Sequence, residues 1–178
     1  MTLTVNIIGA GKVGKVLGRL LVNHDAAKIL GICNRSLASA QQACDFIGAG
    51  HPVATIAALL PADITFITTQ DEQIQPCSML LCQSNNLKTE SILIHCSGLL
   101  PASVMQCAGE KPCLTYSVHP MRSVADVEQS LADYAGTHCA IEGSLERMGV
   151  VLNLFKKIGS VCFNIDSNSK PLYHVAGV

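Results

Sequence analysis

The stretch Gly9-Ala10-Gly11-Lys12-Val13-Gly14 has the Gly-x-Gly-x-x-Gly spacing that lets a backbone turn approach a pyrophosphate. Gly9 permits a tight turn, Gly11 leaves room for phosphates, and Gly14 lets the following helix sit close on its strand. Unpaired N–H groups and the positive end of the helix dipole then face the anion. Ala10, Lys12 and Val13 complete this cradle. About 20 residues beyond the glycines, NAD-binding domains carry an Asp or Glu for the ribose hydroxyls; this sequence has Asn34-Arg35-Ser36. A carboxylate there would repel a 2′-phosphate, whereas a guanidinium beside a serine hydroxyl attracts one. The cofactor reading is therefore NADP. Thr68, Thr69 and Gln70 end a further strand and offer backbone and side-chain groups to the pyrophosphate or the nicotinamide ribose. His119 ends another, and a histidine that titrates near neutral pH suits a proton donor for a carbonyl or imine undergoing hydride transfer.

These residues need a scaffold that brings strand ends to one rim. The apolar run at residues 3–8 precedes the glycines, and a helical run at 12–22 follows them. A second strand is read at 28–33, then a helix at 37–47 with Ser36 as N-cap and Gly48 and Gly50 as terminators. A short strand at 52–54 and a helical turn at 56–60 follow. The fourth strand is 63–69, and a helix at 74–83 has Pro76 in its first turn. Further strands are expected at 91–96, 114–118, 138–141 and 161–165. Residues 123–136 read as a polar surface excursion. Ser144 caps a helix whose core stripe is Leu145, Met148, Leu152 and Phe155. Pro171 marks a helix start, and His174 on that apolar turn reads as a packed side chain. The pattern predicts a Rossmann-type, doubly wound, mostly parallel eight-stranded α/β sheet with helices on both faces.

Composition limits the function classes. The chain has 12 Lys and Arg against 13 Asp and Glu, which leaves no basic footprint for nucleic acid. No apolar run is long enough to span a membrane, and the first residues lack the pattern of a signal peptide, so a cytoplasmic protein is expected. Nine cysteines, at 33, 44, 77, 82, 96, 107, 113, 139 and 162, contain no Cys-x-x-Cys pair. They read mostly as reduced packing residues, neither a disulfide framework nor a zinc site. No carboxylate pair or His/Cys cluster has metal spacing, and no metal is expected. A small-molecule substrate is the favoured partner.

The chain also resembles the coenzyme domain of the 6-phosphogluconate dehydrogenase-like Rossmann group, which includes pyrroline-5-carboxylate reductase and the deazaflavin-dependent NADP oxidoreductases. The resemblance rests on Gly9 to Gly14, His95-Cys96-Ser97-Gly98, Ser117-Val118-His119-Pro120-Met121, Ala140-Ile141-Glu142-Gly143 and Lys170-Pro171-Leu172-Tyr173-His174-Val175-Ala176. It is nearest to Rossmann-like proteins that carry a C-terminal helical domain of unknown function. The resemblance implies an NADP-binding domain at 1–168, and at 169–178 the start of a helical domain that closes the substrate pocket and forms a homodimer interface in relatives. It also implies that Ser97 with Gly98 matches a substrate-binding strand end, and that Lys170 lies near the catalytic lysine of hydroxyacid dehydrogenases. Two functions follow as expectations: an NADP-dependent oxidoreductase acting on a small carbonyl, imine or hydroxy compound, or a noncatalytic NADP-binding module with a structural, sensory or partner-binding role.

Overall fold

The computed structural model describes residues 2–84, 86–105 and 113–170. Its eight strands form one sheet in the order β3-β2-β1-β4-β5-β6-β7-β8. They are β1 (Thr4–Ile8), β2 (Lys28–Cys33), β3 (His51–Val53), β4 (Ile64–Ile67), β5 (Ile92–His95), β6 (Leu114–Pro120), β7 (His138–Gly143) and β8 (Val161–Asn164). All neighbours are parallel except β6 and β7. The helices are α1 (Lys12–Asn23), α2 (Leu37–Ile47), α3 (Asp71–Gln83), α4 (Val127–Ala132) and α5 (Met148–Lys157). The doubly wound, mostly parallel architecture is thus present. The order reverses around β1, which is where such sheets open a crevice for ligands.

The central strands are buried on both faces, as parallel sheets require, which is why they read as continuous apolar runs. On one face Val16, Leu17 and Leu20 of α1, Ala40 and Ala43 of α2, and Val151, Leu154 and Phe155 of α5 pack on Ile7, Ile94 and Tyr116. Phe66 meets Phe155 edge to face there, with centroids 6.0 Å apart. On the other face Ile74 and Leu81 of α3 pack with Ile8, Ile67 and Leu93. Gly18 allows the close approach of α1: a Cβ there would lie 2.6 Å from Ile47 Cδ1 and 3.0 Å from Ile7 Cδ1. Buried Asn6 accepts from Gly31 N–H (3.0 Å) and donates to the Leu60 carbonyl (2.7 Å) beside the irregular β1–β2 register.

Several boundaries differ from the sequence expectation. α3 starts at Asp71, so Pro76 lies inside the helix; Asp71 and Glu72 favour the positive end of the dipole and begin the helix earlier. β6 runs on through His119 and Pro120, paired with Ala140 and Cys139 of β7. Residues 123–136 are no mere excursion: Asp126 caps α4 by accepting from Gln129 N–H, Val127 and Leu131 pack on the core, and Tyr134 is buried. α5 begins at Met148 instead of after Ser144, because Tyr116 Oη donates to the Glu146 carbonyl and Arg147 takes a left-handed turn (φ 55°). Leu145 is consequently 90% exposed, and the stripe is carried by Val151, Leu154, Phe155 and Ile158. Cys33, Cys44 and Cys139 are buried thiols pushed up from their ordinary pKa by burial, whereas Cys82 carries a disulfide bond. Among the described residues no helix is long and apolar enough to cross a membrane and no group of His, Cys, Asp and Glu is arranged to hold a metal. Pro171 and His174 lie outside the described residues.

Candidate functional site

The C-terminal end of β1 runs into a glycine turn held from three sides. Gly9 adopts φ +80°, and a Cβ on it would lie 2.4 Å from Thr69 Cγ2. A Cβ on Gly14 would lie 2.4 Å from Thr68 Oγ1, whose hydroxyl donates to the Gly9 carbonyl at 2.9 Å. Gly11 differs from both. It caps α1 at φ −76°, and its Cβ would meet nothing closer than the Gly9 carbonyl at 4.0 Å. Gly9 and Gly14 are thus required by the protein's own packing, and Gly11 borders open space.

That space belongs to a groove of about 410 Å³ lined by Gly9, Ala10, Gly11, Asn34, Arg35, Thr68, Thr69 and Gln70. Most of the expected cofactor residues are therefore brought together. Lys15, Ser39, Gln42 and Gln73 line the groove as well. The sequence reading missed these four; Lys15 sits one helical turn after Gly11, so the i, i+4 spacing was the available signal. The groove contains two cations, Lys15 and Arg35, and no carboxylate. Arg35 is exposed at the end of β2. Asn34 is only partly exposed: its Oδ1 accepts from Ala10 N–H (2.7 Å) and its Nδ2 donates to the Ser39 carbonyl (3.0 Å). It braces the glycine turn against α2. The Thr69 hydroxyl oxygen is buried without a hydrogen-bond partner among the described residues.

Other expected cofactor residues have different places. Lys12 Nζ turns to the Ala125 carbonyl (2.7 Å), away from the groove. The Ser36 hydroxyl caps α2 by accepting from Ser39 N–H (3.2 Å). Thr68 braces Gly9, Gly14 packs on Thr68, and Val13 lines a separate pocket with His119.

Ser97 and Lys170 meet in a buried polar cluster at the ends of β5 and β6. Ser97 Oγ donates to Asp71 Oδ2 (2.7 Å) and accepts from Leu99 and Leu100 N–H (3.2 and 3.0 Å). Its one donor and two acceptor positions are filled. Lys170, 1% exposed, donates to the Ser97 carbonyl (3.0 Å), the Leu100 carbonyl and Ser117 Oγ. All three ammonium protons have acceptors. Burial lowers its pKa to about 8, with Glu142 and Asp71 opposing the shift. His95 accepts from Ser97 N–H at Nδ1 (3.1 Å), which leaves Nε2 to donate to the Pro101 carbonyl (3.1 Å). Burial, reinforced by the Lys170 charge, lowers its pKa to about 4, so the ring is neutral. This cluster fixes the turn at 97–101 and ties residue 170 to it. Ser97 and Lys170 thus act on that loop in this structure, and the expected catalytic trio divides into this pair and His119.

Structural comparison finds the same fold in dinucleotide enzymes. A Bacteroides fragilis protein described as an NADP oxidoreductase superposes with a TM-score of 0.80 at 20% identity, covering 99% of this chain and 66% of its own. The prephenate dehydrogenase of A. aeolicus, solved with hydroxyphenyl propionate and NAD+, gives 0.75 at 15% identity, covering 96% and 62%. A pyrroline-5-carboxylate reductase from Coxiella burnetii gives 0.72 at 14% identity, covering 99% and 67%. The chain thus spans about two thirds of the length of these proteins, and identities this low establish the fold alone. Comparison with curated proteins gave no match. The model of the Rossmann-like domain matches residues 1–120, and the chain belongs to that family.

Proposed function

We propose that this chain binds NADP and presents it for hydride transfer to or from a small carbonyl, imine or hydroxy compound. The observation that carries the reading is the groove across the glycine turn, which holds Lys15 and Arg35 and no carboxylate. NAD-binding sites use an acidic side chain at the second strand end to hold the ribose hydroxyls. Here Asn34 is there instead, engaged with Ala10 and Ser39, and the exposed Arg35 guanidinium beside it suits a 2′-phosphate. The residues present fit the cofactor: Gly11 leaves space for a pyrophosphate at the start of α1, where the positive end of the helix dipole favours an anion.

When bound, the nicotinamide supplies or accepts the hydride. The chain's own tasks are to hold the pyrophosphate at residues 9–14, to select the 2′-phosphate at Arg35 and to move a proton at the substrate. His119, at the end of β6 and beside Val13 and Cys96 in the lining of one pocket, is the proton donor in this reading. Calorimetric titration with NADPH and NADH tests the proposal. NADPH is expected to bind at least tenfold tighter, and Arg35→Glu to remove most of that preference, because the new carboxylate repels the phosphate. Equal affinities in the wild type would overturn the NADP assignment.

A further inference from the structure

Residues 52–62 and 73–87 contain no Asp, Glu, Lys or Arg, although 14% of the chain is charged. The fold brings these two stretches together on the face of the sheet that α3 covers. The first carries the short helix Ile56–Ala58, and the second is most of α3 with the loop after it. Ile56 and Leu59 pack with Cys77, Leu81 and Leu87, and Asn86 Nδ2 donates to the Ala57 carbonyl (2.6 Å). Their outer sides form one surface.

A helix that covers a sheet and faces water normally carries charges on its outward side. From Gln73 to its end α3 carries none. Ile74, Ser78 and Leu81 are buried against the sheet; at helical spacing Leu80 then lies toward Ile56–Ala58, Pro76 and Gln83 point outward, and Met79 lies beyond them. Leu60, Met79 and Leu80 are 65%, 51% and 55% exposed. These three present roughly 300 Å², and their neutral exposed neighbours at least as much again, which approaches the roughly 800 Å² that each partner gives to a stable interface. Charges return only at the margin: Glu72 in the first turn of α3, and Lys88, paired with Asp63 (3.0 Å), past its end. An uncharged centre with large apolar side chains inside a polar rim is how protein interfaces are built.

We propose that this face docks a second copy of the chain, the two α3 helices meeting antiparallel across a two-fold axis near Leu80. A two-fold contact sets a surface against itself, so a charged face would oppose like charges; this one has none to oppose. Antiparallel helices also set opposite dipole ends side by side, and bring the acidic first turn of one α3 to the end of the other, near Lys88. The rim is thus complementary as well. This contact is independent of the cofactor reading and distinct from the helical-domain interface that the family resemblance implies.

Analytical ultracentrifugation of the intact chain at about 20 μM tests the proposal. The wild type is expected to sediment as two copies. Met79→Glu and Leu80→Glu change side chains that face water in the single chain, so the variants should stay folded by circular dichroism. Each should weaken association at least about 100-fold and give single copies, because the two-fold closes two unpaired carboxylates into the contact. Leu145→Glu, at a 90% exposed position before α5 and outside this face, should leave the mass at two copies. A single-copy wild type would overturn the proposal and leave the face to a different protein or a further segment of chain. Two copies persisting in both α3 variants, or lost equally in Leu145→Glu, would put the contact elsewhere and overturn it too.

Discussion

The three fingerprint glycines should separate cleanly when each is replaced, because their surroundings differ. A methyl on Gly11 meets only the Gly9 carbonyl, at the ordinary contact distance of 4.0 Å, and the residue already has negative φ. Glycine is favoured over alanine or valine at an N-cap, so Gly11→Ala and Gly11→Val should cost about 0.5–1 kcal/mol, or roughly 1–4 °C in Tm. Gly14→Ala places a Cβ 2.4 Å from Thr68 Oγ1, so the hydroxyl must swing off the Gly9 carbonyl it now bonds at 2.9 Å. Overpacking and the lost hydrogen bond together cost about 1–3 kcal/mol, a fall of roughly 3–10 °C. Gly9→Ala adds a left-handed φ to a 2.4 Å approach to Thr69 Cγ2 and should cost at least as much. Binding reverses the order of interest. A side chain on Gly11 fills the space the phosphates need; losing two charged hydrogen bonds at about 1.5–3 kcal/mol each predicts a loss of NADPH affinity of at least 100-fold in Gly11→Val. Thermal unfolding without ligand and a fluorescence titration with NADPH measure the two effects separately. A folded Gly11→Val with NADPH affinity within threefold of wild type would refute the placement of the pyrophosphate on this turn.

Other outcomes follow from the buried cluster and the rim. His95 has a folded pKa of about 4 against an ordinary 6.5, so the unfolded chain binds the extra proton between these values. Stability should fall as pH drops from 6.5 toward 4, and His95→Gln should flatten that limb in urea titrations. Lys170 has a folded pKa of about 8 against 10.5, so the unfolded chain again binds more protons in between, and stability should rise from this group as pH goes from 8 to 10.5. Lys170→Met should abolish that rise; its persistence would assign the titration elsewhere. In a full-length protein with an identified substrate, His119→Ala should lower kcat by about 100-fold or more while changing NADPH affinity far less. An unchanged rate would remove His119 from the reaction.

What was legible in the sequence was local chemistry. The glycine turn, the Ser36 cap and the Gly48 terminator of α2 each depend on residues within one turn of each other, and all stand where expected. The buried strands declared themselves as apolar runs because a doubly covered parallel sheet has no polar face. α4 was missed because its short sequence, Val-Glu-Gln-Ser-Leu-Ala, is too brief to show a period and becomes helical against α1. The start of α5 was misplaced for a related reason: the contact that holds back the helix joins Tyr116 to Glu146, 30 positions apart.

Ser97 and Lys170 show how far residue type alone can carry a functional reading. A serine at a strand end and a lysine near the end of the chain are reactive types in suggestive places. Whether they are available depends on partners remote in sequence: Lys170 bonds the Ser97 carbonyl across 73 positions and Ser117 across 53, and Ser97 bonds Asp71 across 26. With every donor and acceptor used, the pair holds a loop, and a ligand would have to displace these bonds to engage either side chain.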